Sequence, residues 1–387
     1  MNILFFLRTN ITSGVAHGGA ESSNILIAEK LKECGHDITF LTLDDSLSIN
    51  KLKSNKQHGN IRFTLIKQFP KNRVFKKLNK SILKFQLIKL VKNNNTQLIY
   101  CNYDLRFIEI LLDLKVNAGF PKIVMRMAGM KWYEESKGSK EKRERYEKAF
   151  NQIDSVNFIS SGLKKLVEKK LNELDMTVKF KHSFIGDIGS SFKPGRDLSY
   201  QDIEDDTFDL LMATRFSSYQ KRQDILVEAI KITGDKIPFH LTLIGSGPER
   251  SNIEDYIYEN NLQDKVTVLP FLPQEELWDL MMRSDLLCHS VEYEGLGKII
   301  IESMAMGLPV LTSNVTPMNS YIDDGKNGFL VENEPEMWAE RIIELYNNYK
   351  LRVTVSNSSI QYVRENYDPD KNVYLYENKF KEICCLE

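Results

Sequence analysis

Two carboxylates, Glu294 and Glu302, flank a glycine turn in the stretch His289–Val310, which reads H-S-V-E-Y-E-G-L-G-K-I-I-I-E-S-M-A-M-G-L-P-V. Gly295 and Gly297 bracket Leu296 and free the backbone for a tight turn. From Lys298 apolar residues run at helical density through Met306, giving a helix of about three turns. Gly307 then stands where a left-handed cap belongs, and Pro309 forbids continuation. Val310-Leu311-Thr312 follows as a β-branched run, read as a buried strand. A helix that starts on a glycine loop presents unpaired N–H groups, which with its dipole form an anion site. With the helix starting near Gly297, Glu302 lies roughly 7–8 Å along its axis. The two acids can then address the ends of one extended ligand whose anionic middle sits at the helix N-terminus, the shape of a sugar–diphosphate–nucleoside. The alternative is two solvated glutamates beside an ordinary helix–strand connection.

Glu294-Gly295-Leu296-Gly297, then Glu302, then Met304-Ala305-Met306-Gly307-Leu308-Pro309-Val310, resembles the E-x7-E signature of the retaining glycosyltransferases of family 4. The resemblance implies an α/β chain of GT-B fold, two Rossmann-like doubly wound domains facing across a cleft. It also implies donor contacts from Gly295, Leu296, Gly297 and Lys298, with Glu294 holding the sugar and Glu302 the ribose.

Composition is that of a globular chain: 387 residues, 42% apolar and 27% charged. No apolar run is long enough to span a bilayer. Met1–Arg8 is too short for a signal peptide and reads as a first strand. Five cysteines without C-x-x-C spacing fit reduced thiols in a cytoplasm better than a disulfide frame or zinc. The net charge of −1 hides an asymmetry: residues 1–195 carry 34 Lys and Arg against 19 Asp and Glu, and the remainder 18 against 34. A basic half joined to an acidic half suggests two domains, the first facing an anionic partner.

The first half opens with strand Ile3–Leu7, a glycine-rich loop Gly14–Glu21, helix Asn24–Glu33 and strand Asp37–Leu43, a βαβ beginning of a parallel sheet. The loop is not G-x-G-x-x-G. By resemblance to the family's G-G-x-E loop, Gly18 and Gly19 lie beside donor and acceptor, and His17 is a candidate for proton transfer. Residues 67–92 hold nine Lys and Arg and no acid. On a helical wheel Val74, Phe75, Leu78, Ile82 and Phe85 share one arc, and Lys76, Lys77, Lys80 and Lys84 the opposite one. This fits either an interfacial helix on anionic lipid, with peripheral attachment to the inner face of the cell membrane, or a core-facing helix with a solvated basic back. Gln97–Cys101 and Ile123–Arg126 read as further strands, whose C-terminal ends are where ligands of open α/β sheets bind. Many family members carry a histidine after the second; here Arg126 stands as the substitute candidate. Lys137–Lys148 reads as a charged exposed helix.

The acidic stretch 197–206 marks a boundary between domains 1–198 and 206–366; the resemblance implies that the first binds acceptor, the second binds donor, and the terminal segment 368–387 packs back on the first. Strand Phe208–Ala213 is followed by Arg215 and Lys221, which match the family's pair gripping the donor diphosphate. Two fixed cations can neutralise a leaving diphosphate without a metal. His240–Ile244 ends in Gly245-Ser246-Gly247-Pro248, which resembles the family's G-x-G-P loop; the resemblance implies Gly247 as a backbone neighbour of the nucleotide and Phe271 in the region where the base stacks.

No HExxH, G-x-S-x-G, P-loop or metal-spaced His/Cys cluster appears, and Asp368-Pro369-Asp370 reads as a helix start. Metal dependence is therefore not expected, and the resemblance implies an activity without cofactor, with a nucleotide diphosphate sugar as co-substrate and a glycan or lipid-linked acceptor. Arg215, Lys221 and Glu294 form the catalytic set. A nucleotide-sugar 2-epimerase on the same fold and a non-catalytic partner subunit are the alternatives. Nucleic acid is not expected as a partner, because no recognition module accompanies the charge.

Overall fold

The structure is a computed structural model describing residues 1–7, 19–44, 57–58, 61–67, 73–115, 119–190, 207–217 and 220–386. The chain divides into two compact units, Met1–Ile188 with Pro369–Glu387, and Gly189–Asp368.

The first unit runs β1 (Asn2–Leu7), α1 (Gly19–Glu33), β2 (Asp37–Asp44), β3 (Gln57–His58), β4 (Ile61–Lys67), α2 (Arg73–Asn93), β5 (Leu98–Asn102), α3 (Leu105–Lys115), β6 (Lys122–Met127), α4 (Lys131–Lys137), α5 (Lys140–Gln152), β7 (Ser155–Phe158), α6 (Ser161–Glu173) and β8 (Ser183–Ile185). Its sheet has the order β3-β4-β2-β1-β5-β6-β7-β8, parallel except for the β3–β4 pair. Central strands read as continuous apolar runs because helices cover both faces of a parallel sheet. In β1 the residues Ile3 to Leu7 are all buried. Phe5 lies against Phe40 and Tyr100, with ring centroids 5.1 and 5.2 Å away.

The second unit runs β9 (Phe208–Ala213), α7 (Gln223–Thr233), β10 (Phe239–Ile244), α8 (Arg250–Glu259), β11 (Val266–Leu269), α9 (Gln274–Arg283), β12 (Leu286–His289), α10 (Lys298–Ala305), β13 (Val310–Ser313), β14 (Phe329–Val331), α11 (Pro335–Asn347) and α12 (Tyr349–Asn366). Its six strands are ordered β11-β10-β9-β12-β13-β14 and all parallel. A last helix, α13 (Pro369–Ile383), belongs to the first unit, where Tyr376 and Phe380 are fully buried in the sheet's core.

Two local expectations are revised. The charged stretch around Lys137–Lys148 is not one exposed helix. Gly138 ends α4, and Ser139 caps α5 by accepting from the Lys142 N–H at 3.3 Å. α5 also buries Tyr146, Ala149 and Phe150 against Trp132, so one face carries core contacts beneath its charge. In α2, Leu83 and Leu87 are buried while Phe85 is 65% exposed. Phe85 therefore does not face the core, and Ile82 of the same arc is half-buried. Lys80 and Lys84 both pair with Asp113 of α3, so they are not a free basic back. The side chains of Val74, Phe75, Lys76, Lys77 and Leu78 lie outside the described residues.

Candidate functional site

Within the second unit the chain leaves β9 toward β10 and β11 on one side and returns at β12 to build β13 and β14 on the other. The carboxyl ends of β9 and β12 therefore form a topological switch point, where open α/β sheets bind ligands. Arg215 and Lys221 follow β9; His289 ends β12, and Glu294 follows it. The two connections are joined backbone to backbone. Arg222 N–H donates to the Ser290 carbonyl at 3.0 Å, Glu292 N–H donates to Gln220 at 3.0 Å, and Lys221 and Val291 form an isolated antiparallel bridge. Residues far apart in sequence are thus brought side by side.

Two glycines set the neighbouring loop. Gly245 and Gly247 adopt φ of +149° and +154°, and a Cβ on either would lie 2.0 Å from a backbone oxygen, that of Thr214 or Phe216 respectively. Their lack of a side chain lets the loop after β10 lie against the loop carrying Arg215. Phe216 N–H donates to the Ser246 carbonyl at 3.0 Å to hold the contact. Gly247 itself is exposed, and so is Arg215, whose guanidinium makes no hydrogen bond or ion pair among the described residues.

The turn before α10 follows the sequence reading in most respects. Gly297 caps the helix in the left-handed region at φ +71°, and Ile300 N–H reaches its carbonyl at 2.8 Å. The Tyr321 hydroxyl, just after the 3-10 turn Met318–Ser320, donates to the Leu296 carbonyl and pins the turn. At the far end Gly307 has φ +73°; Leu308 N–H bonds the Ser303 carbonyl at 2.9 Å and Gly307 N–H that of Met304 at 3.2 Å, a Schellman motif. The helix is eight residues long, two turns rather than three, because the cap already begins at Met306. Lys298 occupies its first position, half-exposed.

Glu294 is the electrostatic centre. One carboxylate oxygen, Oε2, accepts from the Lys221 ammonium; Oε1 accepts from Gly295 N–H at 3.0 Å and from Gln220 Nε2 at 3.5 Å. Burial opposes its ionisation, but the Lys221 charge and His289 outweigh that and hold the carboxyl well below the usual range. His289 is 1% exposed, with Nε2 3.7 Å from Glu294 Oε2, an electrostatic contact longer than a hydrogen bond. Burial, reinforced by Lys221, pushes its pKa down to about 4 against the favourable pull of Glu294, so the ring is neutral near pH 7. Both ring nitrogens lack a hydrogen bond among the described residues. Such a buried orphan costs about 1–3 kcal/mol.

Glu302 is 6% exposed. Its two oxygens accept from Ser190 Oγ at 2.9 Å and Gln274 Nε2 at 3.3 Å, and burial raises its pKa against the opposing effect of Lys298, Ser190 and Gln274. Ser190, Gln274, Gln220, Tyr321 and His289 were not singled out from sequence. Ser190 and Gln274 carry no local signal, since each reaches Glu302 only through the fold. His289 has one: a polar ring closing the apolar strand L-L-C-H just before the first glutamate.

The candidates of the first half stand differently. His17 and Gly18 lie outside the described residues, and Gly19 is the exposed first residue of α1. Arg126 is 1% exposed inside the first unit, donating through Nη2 to Asp187 at 2.9 Å. Asp187 is held in turn, its carbonyl accepting from Asn372 Nδ2 of α13 at 2.9 Å. This buried pair fastens β6 to the segment after β8 and gives Arg126 no exposed surface for a ligand.

With this geometry in hand, the glycosyl transferases group 1 family model matches residues 199–362. An uncharacterised glycosyltransferase of Methanocaldococcus jannaschii is 33% identical over 147 residues, spanning 38% of this chain and 40% of the relative, so the chain covers about two fifths of that relative's length. Among solved structures, sucrose-phosphate synthase of Thermosynechococcus elongatus aligns with a TM-score of 0.80 at 16% identity over 99% of both chains. HepE of Anabaena, solved with UDP and glucose, aligns with a TM-score of 0.74 at 17% identity over 99% of this chain and 100% of its own. The two structural likenesses establish the GT-B fold. The family model and the sequence relative each match less than half of this chain, and over that part they show a likeness to glycosyltransferases.

Proposed function

We propose that this chain is a retaining glycosyltransferase of family 4, moving a hexose-type sugar from a nucleotide diphosphate sugar to a hydroxyl of a glycan or lipid-linked acceptor. Bacterial surface polysaccharide or glycoconjugate synthesis is the setting we assign to it. The observation that carries this reading is the pairing of Lys221 with Glu294 at the β9/β12 switch point, with the exposed Arg215 on the same connection as Lys221 and the α10 N-terminus following Glu294. Cations and helix amides there suit a diphosphate, the exposed Phe271 beyond β11 offers a face to a base, and Glu302 offers a carboxylate to ribose hydroxyls.

In the proposed reaction the bond between the anomeric carbon and the diphosphate oxygen breaks, and the acceptor oxygen bonds to that carbon from the same face. The acceptor's proton passes to the departing diphosphate. Charge builds on the diphosphate as an oxocarbenium-like state forms, so fixed positive groups near it supply the main stabilisation. Arg215, Lys221 and the α10 amides can do so without a metal ion. Glu294 would hold the sugar hydroxyls.

A finer part of the reading is cytoplasmic placement with peripheral contact to an anionic membrane. The outward Phe85 of α2, with exposed Lys89 and Lys92 on the same helix, supports it. Among the described residues no helix is long and apolar enough to cross a membrane.

The test is a thermal-shift panel of UDP, GDP, ADP, dTDP and CMP, with EDTA present, on wild type and Glu302→Ala. A ligand at 100 times its Kd adds about 2.7 kcal/mol of stability. The expected result is one stabilising diphosphate whose effect the substitution removes, followed by sugar transfer from the matching sugar nucleotide. No stabilisation by any of the five would sink the donor-site reading. Sugar isomerisation without an acceptor would favour the epimerase.

A further inference from the structure

Glu294 has a neighbour with no assigned task. His289 closes β12 with its ring wholly buried, neither ring nitrogen is hydrogen-bonded among the described residues, and Nε2 points at Glu294 Oε2 from 3.7 Å. The charged groups that act on the ring are Lys221, from the connection after β9, and Glu294, from its own connection. A neutral imidazole carries one N–H and one lone-pair nitrogen, so the tautomer protonated at Nε2 offers a donor to Glu294. In the structure Lys221 occupies that same oxygen, which leaves the imidazole standing one short step away.

The arrangement matters because a buried carboxylate is not left without a partner. A lysine ammonium is a compact charge on a flexible stem, and a bound diphosphate offers it a competing and more highly charged acceptor. Whatever draws Lys221 off strips Glu294 of its counter-charge at the moment when its orientation toward a sugar would matter. Gly295 N–H and Gln220 remain, but both act on Oε1. The imidazole Nε2, 3.7 Å away, faces the vacated Oε2.

We propose that His289 is a positioning residue for Glu294: once Lys221 is withdrawn by an anionic ligand, the imidazole Nε2–H closes onto Oε2 and keeps the carboxylate in place. The ligand class follows from the donor-site reading above, on which the proposal rests. One ion pair is exchanged for one hydrogen bond, and no covalent bond changes.

The experiment uses the full chain labelled with ¹⁵N-histidine. Six histidines are present, and His289→Gln identifies the ring signals of the one in question. Lys221→Met withdraws the lysine by mutation; the His289 titration midpoint is expected to rise from about 4 by roughly two pH units, as for a histidine that gains an unopposed carboxylate partner. Inorganic pyrophosphate, UDP or GDP added to wild type should move the same ring signals in the same direction, and this arm stands if Lys221→Met does not fold. Ring signals that stay put in Lys221→Met, or in wild type saturated with a diphosphate, overturn the proposal. Signals that move in the mutant while none of the three anions binds wild type uphold the exchange and overturn the donor-site reading instead. A further readout separates positioning from packing. His289→Phe should weaken sugar-nucleotide binding about tenfold relative to the matching nucleoside diphosphate, equivalent to one lost hydrogen bond to a charged group, while His289→Gln retains it. Equal losses for both ligands in His289→Phe mark a merely structural residue.

Discussion

The ammonium of Lys221 and the carboxylate of Glu294, 73 residues apart in the chain, are paired across the carboxyl ends of two adjoining strands. Their side chains are only 11 and 16% exposed, so each is the other's main source of charge compensation. Removing one member leaves a buried charge, a loss of about 3–5 kcal/mol. Lys221→Met is expected to lower stability in chemical denaturation by about 3 kcal/mol, and adding Glu294→Gln should restore most of it. A double mutant no more stable than Lys221→Met would show that the pair does not carry that energy.

Acid should find His289. Its pKa is about 4 in the fold against 6.5 for an ordinary histidine, so between those values the unfolded chain binds the extra proton. Stability is then complete above pH 6.5 and lost as pH falls toward 4, by roughly 3 kcal/mol in all. Glu294, whose carboxyl is depressed, adds a loss only at lower pH, below its unfolded value and toward its folded one. Melting temperature followed from pH 7 to 4.5 should fall less steeply in His289→Phe than in wild type. Parallel curves would contradict the neutral buried ring.

Two glycines of the second unit differ in what they tolerate. Gly247→Ala places a methyl 2.0 Å from the Phe216 carbonyl oxygen, which cannot yield without moving the Arg215 loop. Gly325 has φ +72° but nothing within 4 Å, so Gly325→Ala bears only the left-handed backbone cost, roughly 1–2 kcal/mol. The first substitution is expected to cost more than about 3 kcal/mol. Thermal denaturation of the two variants side by side gives the comparison, and equal losses would mean the loops are not in contact.

Arg215 is exposed, and its substitution should leave the fold alone. Arg215→Ala is expected to change stability by less than about 0.5 kcal/mol yet weaken nucleoside diphosphate binding by roughly 10-fold or more, the worth of a hydrogen bond to a charged group. Calorimetric titration with the stabilising diphosphate reads this directly. Unchanged affinity would remove Arg215 from the donor site.

Much of this was legible in the chain itself. Local rules fixed the αL cap at Gly307, the glycine turn at 295–297 and the buried parallel strands, because each depends on a few adjacent residues and on backbone sterics. Glu294 and Glu302 stand out beside the glycine turn and helix start, while Arg215 and Lys221 come forward by their resemblance to the family's pair. What local rules left open is which side chain meets which. On the helical wheel Phe85 falls on the apolar arc of α2, and only the tertiary structure shows Leu83 and Leu87 buried while Phe85 stands outward. Arg126 stands in sequence only as a substitute for the family's histidine at a strand end, and Asp187, 61 residues on, takes its charge inside the core. His289 looked like the end of a strand; its meaning comes from Lys221 and Glu294 arriving on either side of it. Long-range pairing across a sheet leaves no local trace, because strand order is decided by the whole core and not by the residues that happen to meet at its edge.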